Sequence, residues 1–134
     1  MATFHFDLVA PDRLLFSGEV DQVDLPGVEG DLGVLADHAP MIVLLRPGIL
    51  AVITGGETQR IVIFGGFAEI SPQGLTVLAD FASAVEDFDP NAAAARITEI
   101  EDLIKRMEPS ALRDREVERL DHFRSIDTSR PAPH

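Results

Sequence analysis

The stretch Met41-Ile42-Val43-Leu44-Leu45-Arg46-Pro47-Gly48-Ile49-Leu50-Ala51-Val52-Ile53-Thr54-Gly55-Gly56 decides the fold class, together with Ile61-Val62-Ile63-Phe64-Gly65-Gly66 and Leu75-Thr76-Val77-Leu78-Ala79. Its apolar runs, Met41–Leu45, Ile49–Ile53, Ile61–Phe64 and Leu75–Ala79, are too short for helices and rich in Val and Ile, the side chains that suit a pleated surface. Between them stand Pro47-Gly48, Gly55-Gly56, Gly65-Gly66 and Pro72-Gln73-Gly74, residue pairs and triplets that set turn geometry. Short strands at this spacing, each punctuated by a turn signal, predict an antiparallel sandwich or barrel rather than a βαβ fold.

The reading extends in both directions. Upstream, Phe4, Phe6 and Leu8 alternate with His5 and Asp7, the period of a half-buried strand. Residues 14–25 alternate as well, but Val20 falls in one register and Val23 and Leu25 in the other, so a bulge or bend is expected near Gln22. Downstream the character changes near residue 88. Asp89 suits a helix N-cap and Pro90 the first helical position, where a missing N–H costs nothing. Ala92 to Ala95 favour helix, and Ile97, Ile100, Ile104 and Met107, widened by Leu103, form one apolar face. Pro109 ends that helix. Ser110 caps a second one running to about Ser125, whose apolar residues Leu112, Val117, Leu120 and Phe123 sit among mixed charges, so that weak docking is expected. The expected organisation is mainly β with an α tail: an antiparallel β-sandwich over 1–87, a helical pair over 88–127, and a disordered end over 128–134.

Composition narrows the function. The 134 residues make one ordinary domain, or a domain with an appendage, and 46% hydrophobic content is enough for a core. There is no cysteine, which excludes disulfides and thiolate metal sites. No run approaches the roughly 18 apolar residues of a membrane span. The first residues have neither the basic start of a signal peptide nor the Arg-rich character of a mitochondrial presequence, so a bacterial cytoplasm is the expected address. Net charge is −12, and residues 1–88 hold three basic side chains (Arg13, Arg46 and Arg60) against thirteen acidic ones. Such a surface repels nucleic-acid phosphates and anionic lipid headgroups, so any membrane association is expected to run through protein partners that offer basic patches.

No catalytic pattern emerges. His5, His38, His122 and His134 are too dispersed for a close metal-ligand motif. A phosphate-binding P-loop needs a Gly-Lys-Ser/Thr ending, and the only lysine is Lys105, inside the expected first helix. Gly27, Gly30 and Gly33 do not match the dinucleotide fingerprint, and no helix pattern follows them. Glu29/Asp31 and Glu86/Asp87 are the carboxylate pairs available for acid–base work, with solvated surface as the simpler reading on so acidic a chain.

Four segments, in order, resemble the epsilon subunit of the F-type ATP synthase. They are Pro26-Gly27-Val28-Glu29-Gly30-Asp31-Leu32-Gly33-Val34-Leu35 with His38-Ala39-Pro40; Arg46-Pro47-Gly48; Phe64-Gly65-Gly66-Phe67-Ala68-Glu69-Ile70; and Leu78-Ala79-Asp80. Phe16-Ser17-Gly18 near the start is similar too. The resemblance implies a ten-stranded sandwich with a C-terminal helical pair, placed in the central stalk of a bacterial enzyme, bound to the gamma subunit and seated on the c-ring. It implies no bond chemistry; the subunit turns with the stalk and helps carry torque to the catalytic head.

For residues, the resemblance implies that the loop holding Glu29 and Asp31 lies against the basic polar loops of the c-ring, with Asp31 aligned with the family position that makes the contact, against the alternative of a solvated loop acid. It puts His38 near gamma, against the alternative of a turn-stabilising histidine. The tail regulates ATP hydrolysis in many members. Here Arg113, Arg115, Arg119 and Arg124 are the candidates to meet alpha or beta subunits, against the alternative of ordinary surface charges, and the short, charge-crowded second helix predicts weak inhibition. In some members the tail binds ATP through a motif ending in Arg-Ala; this chain reads Phe88-Asp89-Pro90-Asn91-Ala92-Ala93, with Ala92 where the arginine stands, so no cofactor is expected. The rival from another class is a free-standing β-sandwich binding module for a small ligand, which needs a pocket of convergent polar groups.

Overall fold

The computed structural model describes residues 2–126. Its elements run β1 Phe4–Ala10, β2 Arg13–Val20, β3 Gln22–Gly27, β4 Gly30–Val34, β5 Met41–Thr54, β6 Glu57–Ser71, β7 Gly74–Ala79, β8 Ala82–Ala84, a 3-10 turn Val85–Asp87, α1 Pro90–Arg106 and α2 Ala111–Arg124. The strands follow the order β2-β1-β7-β6-β5-β3-β4, with β8 on β6. All pairs are antiparallel except β1 with β7.

Two expected turns do not occur. Pro47-Gly48 and Gly65-Gly66 lie inside β5 and β6, which form one long hairpin around Gly55-Gly56 in unbroken register from Met41↔Ile70 to Thr54↔Glu57. They are bends, and they carry both strands from one layer to the other. Residues 41–45 and 66–71 pair within a first layer with β7, β1 and β2; residues 49–54 and 57–63 pair within a second layer with β3, β4 and β8. Counting the bent strands by halves gives five strands per layer, the ten of the family's sandwich.

The bend explains its own sequence. Gly65 and Gly66 take φ of +112° and +135°, and a Cβ on Gly66 would stand 2.1 Å from the Leu78 carbonyl oxygen, which no side chain tolerates. Asp80 N–H donates to the Gly65 carbonyl at 3.0 Å, fixing the corner from the other side. The phase slip near Gln22 is likewise a corner: β2 ends at Val20 in the first layer and β3 begins at Gln22 in the second, with a bend at Asp21.

Between the layers lies the main core, with Phe6, Leu8, Val20, Val23, Leu50 and Val77 at its centre. A second cluster covers the outer side of the second layer, where Val62 and Phe64 meet Ile100 of α1 and Leu120 and Phe123 of α2. Asp89 caps α1 by accepting from Asn91 N–H at 2.9 Å, and Ser110 caps α2 by accepting from Arg113 N–H. Leu103 does not widen the apolar stripe; it faces solvent, as does Leu112. α2 docks through Leu120 and Phe123 alone among its fully buried side chains. The expected disordered end, 128–134, lies outside the described residues.

Candidate functional site

The sheet alternation that buries one side of a strand exposes the other, and among the described residues no helix lies over the outer side of the first layer. Strand register lines up Leu14, Val9, Leu78, Phe67 and Leu44 as cross-strand neighbours from β2 to β5. Leu14 is 59% exposed, Leu44 66%, and Phe67 and Leu78 each 40%. Ile42, two residues along from Leu44 on the same side, is exposed to the same degree as Leu44. A contiguous apolar row of this kind, rimmed by polar residues, marks an interaction surface in soluble proteins. Its neighbouring row is polar: Ser17, Asp7, Thr76 and Glu69 follow in register.

The β1–β2 end of that row is paired with neighbouring side chains. His5 lies 3.0 Å from Asp7 and 3.3 Å from Glu19, and Thr3 donates to Glu19. The Ser17 hydroxyl, directly across from Asp7, holds the Asp7 carboxyl below its ordinary range, helped by His5 against partial burial that pushes the other way.

At the Leu44 end of the apolar row stands the β3–β4 hairpin, whose tip carries Val28 and Glu29. Val28 N–H donates to the Leu44 carbonyl at 2.8 Å, which ties the tip to the first layer. Glu29 and Asp31, paired as candidates from sequence, do share this hairpin, and both are exposed. Arg46 reaches it from the bend of β5, donating from Nη1 to the Gly27 carbonyl and from Nη2 to Asp31. Gly48, next along, packs on Pro26 so closely that a Cβ would stand 3.0 Å from the proline Cβ. The Arg46-Pro47-Gly48 motif is thus a clamp, a bend and a gap for the crossing strand.

His38 is not part of that hairpin. It follows β4, with its N–H donating to the Leu35 carbonyl at 3.1 Å and its Nδ1–H to the Ala39 carbonyl at 2.9 Å, and it lines a cleft with His5, Glu19 and Ser71. The four tail arginines are spread along α2. Arg124 pairs with Glu101 of α1 at 3.1 Å, and Arg119 lies near Glu116 and over the Phe123 ring. Arg113 is half-buried and Arg115 exposed. Arg96 lies over the Phe64 ring, 5.6 Å from its centroid.

The open apolar row was not singled out from sequence. Its signal was present: Met41–Leu45 is apolar at every position, where a strand with one wet face would alternate. Among the described residues no cluster of three or more His, Asp or Glu side chains is arranged to hold a metal ion. No described helix is long and apolar enough to cross a membrane.

Comparison with known proteins agrees with this geometry. Residues 3–85 match the family model described as ATP synthase, Delta/Epsilon chain, beta-sandwich domain. The chain is 58% identical over 126 residues to the ATP synthase epsilon chain of Rhodopseudomonas palustris strain BisA53, covering 94% of this chain and 93% of that one. It is 56% identical over 128 residues to ATP synthase epsilon chain 1 of Nitrobacter hamburgensis, covering 96% and 94%. Among solved structures, a chain of the Euglena gracilis mitochondrial ATP synthase OSCP/F1/c-ring assembly superposes with a TM-score of 0.69 at 28% identity, covering 92% of this chain and 79% of that chain. A chain from the Tetrahymena thermophila central stalk/c-ring structure shares the fold at a TM-score of 0.62 and 12% identity, covering 90% and 93%. With the sandwich, its bent strands and these relatives in agreement over nearly the whole length, the chain belongs to the ATP synthase epsilon family.

Proposed function

We propose that this chain is the non-catalytic epsilon subunit in the central stalk of a bacterial proton-translocating ATP synthase, coupling c-ring rotation to ATP synthesis in the catalytic head. The open apolar row from Leu14 to Leu44 carries the reading: it is an outward face that the chain itself leaves uncovered, and gamma is the partner that covers it. His38, on the segment after β4, belongs to the same gamma-facing region. The hairpin with Glu29 and Asp31 seats on the basic polar loops of the c-ring. Residues 1–87 form the stalk-binding body and 88–127 the regulatory region, whose Arg113, Arg115, Arg119 and Arg124 meet alpha or beta subunits when the helices extend. The protein lies on the cytoplasmic face of the inner membrane and is held there by these protein contacts, since a net charge of −12 opposes direct binding to anionic lipid.

Regulation by the tail is weak in this reading. Arg124 and Arg119 are engaged within the docked helices, and the second helix is short. Deleting residues 89–134 leaves ATP hydrolysis by the purified complex close to its starting rate; a large rise would count against weak inhibition.

The test of the main reading is co-purification. The chain is tagged in its native host, membranes are solubilised gently, and the companions are identified by mass spectrometry. Recovery of alpha, beta, gamma and c subunits in one complex is expected. Recovery of the chain alone, from a host whose ATP synthase purifies intact without it, sinks the assignment.

A further inference from the structure

Strand β6 runs past two partners in turn. In the first layer Phe67 pairs with Leu78 and Gly66 with Ala79 of β7. In the second layer Ile63 pairs with Ala82 of β8. Between them the pairing does not break. Asp80 N–H donates to the Gly65 carbonyl at 3.0 Å, and Phe64 N–H donates to the Phe81 carbonyl at 3.2 Å. Residues 63–67 and 78–82 are therefore one antiparallel ribbon that turns the corner from layer to layer.

The two arms of this ribbon end on the two outer faces of the sandwich. Phe67 and Leu78 are neighbours in the open apolar row. Three residues along each strand, Phe64 and Phe81 stack beneath the helices. Phe123 of α2 meets the Phe64 ring at 5.0 Å, Phe88, just before α1, meets it at 6.1 Å, and Arg96 of α1 lies over it at 5.6 Å. At the corner the backbones touch. A Cβ on Gly66 would stand 2.9 Å from Ala79 Cα, and one on Gly65 would stand 3.4 Å from the Leu45 carbonyl oxygen. No side chain sits between the strands there to absorb a shift, and close-packed interiors transmit strain. A change in how Phe64 and Phe81 are covered is thus carried to Phe67 and Leu78 through a short, hydrogen-bonded stretch of backbone.

We propose that the ribbon couples the docked helical pair to the open apolar face, so that the helices hold Phe67 and Leu78 in the arrangement that a protein partner binds. The inference rests on the stalk reading above for the partner and adds a control to it: helices on one outer face of the sandwich set how well the opposite face binds. Coupling of this kind is reciprocal, so a partner on the open face also holds the helices down.

Full-length chain is titrated onto purified ATP synthase complex from a strain lacking it. Phe123→Ala uncovers Phe64 from the helix side and is expected to weaken binding about fivefold, the lower end of the usual range for coupled sites. Double-mutant cycles locate the route. Beside the pair Phe67→Ala and Leu78→Ala, which takes the ribbon's side chains off the open face, the effect of Phe123→Ala falls close to none. Beside Leu14→Ala, in the same row but on β2, it stays about fivefold. Arg96→Gln takes the cation from the Phe64 ring and leaves the apolar helix stripe intact; it acts in the same direction by a smaller factor.

Unchanged affinity in Phe123→Ala overturns the proposal. So does a loss of equal size in both backgrounds, which would mean that freed helices act on the complex directly. The isolated chain gives a second measurement that needs no partner. In Phe123→Ala the backbone amide resonances of Gly66, Phe67 and Leu78 are expected to move while those of Leu14 and Ser17 stay in place. Changes that reach Phe64 and Phe81 and stop there overturn the coupling. A natural chain that fails to bind the depleted complex is a different failure, that of the stalk reading, and the resonances then decide the coupling alone.

Discussion

Residues 61–64 and residues 41–45 are both unbroken apolar runs, and they sit on strands that pair with each other. Ile61 and Ile63 point into the sandwich core, while Val62 and Phe64 point outward and are covered by Ile100, Leu120 and Phe123 of the helices. In the other run Leu45 points inward, but Ile42 and Leu44 point outward and nothing in the described chain covers them. One outer face is completed in cis by the helical pair; the other stays open among the described residues, and the proposed function gives it to a partner in trans. A strand that is apolar at every position can bury both faces, and the difference between these runs shows which second face the described chain leaves open.

The largest effect on assembly should come from charging the open face. Leu44→Asp adds a carboxylate where the side chain is already 66% exposed, so the isolated chain should melt within about 1 kcal/mol of its usual stability. Buried against an apolar partner, the same carboxylate has no counter-charge, and binding to a complex lacking this subunit should fall at least about a hundredfold. Binding that survives unchanged would show that the row is not the interface, and the comparison with the covered face would collapse.

The converse substitution lies on the covered face. Phe64 stacks on Phe81 with ring centroids 4.3 Å apart and meets Phe123 edge-on at 5.0 Å. Phe64→Ala should cost about 3–5 kcal/mol of stability in chemical denaturation, through lost burial and the cavity left behind. Phe123→Ala removes the helix side of the same contact. It should release the helices to limited proteolysis near residues 107–110 while the sandwich still melts cooperatively. A sandwich that unfolds together with the helices would mean that the second core is continuous with the first.

A smaller effect is expected at the Arg124–Glu101 pair between the two helices, 3.1 Å apart and about half exposed. Solvent screens such pairs, so Arg124→Ala should loosen the helices by no more than about 1 kcal/mol, measured by hydrogen exchange in α2. A much larger change would make this pair, rather than Phe123, the main tie between tail and body.

The local rules of sequence reading reached far here, and they stopped at questions of context. Asp89 and Ser110 cap the helices that their positions announce, because capping is chemistry within three residues. Pro47-Gly48 and Gly65-Gly66 read as turns because the same dihedral freedom serves a turn or a bend, and only the pairing of 41–45 with 66–70 decides between them. Leu103 fits the helical period yet faces solvent, since the covered area of the second layer is narrower than the stripe. Glu29 and Asp31 were legible as neighbours on one loop. That Arg46, fifteen residues beyond Asp31, holds one and not the other depends on a strand crossing that no local pattern encodes. The apolar row of the first layer combines residues from five strands, so its members stand apart in sequence and meet only in register.

The smallest effect tests the polar row beside the open face. Asp7 is held below its ordinary carboxylate range first by the Ser17 hydroxyl and then by His5, with partial burial opposing both. A carboxyl whose folded value is depressed adds stability that is fully present above its unfolded value and is lost as pH falls through the folded one. Asp7→Asn should therefore leave the chain slightly less stable at neutral pH and flatten the loss of stability below about pH 4, the range in which an ordinary aspartate takes up its proton. Urea midpoints for the two chains between pH 3 and pH 7 would show it as curves that converge on the acid side. Curves that stay parallel would mean that Ser17 and His5 hold the Asp7 side chain in place without favouring its charge. The polar row would then be a passive rim to the apolar one.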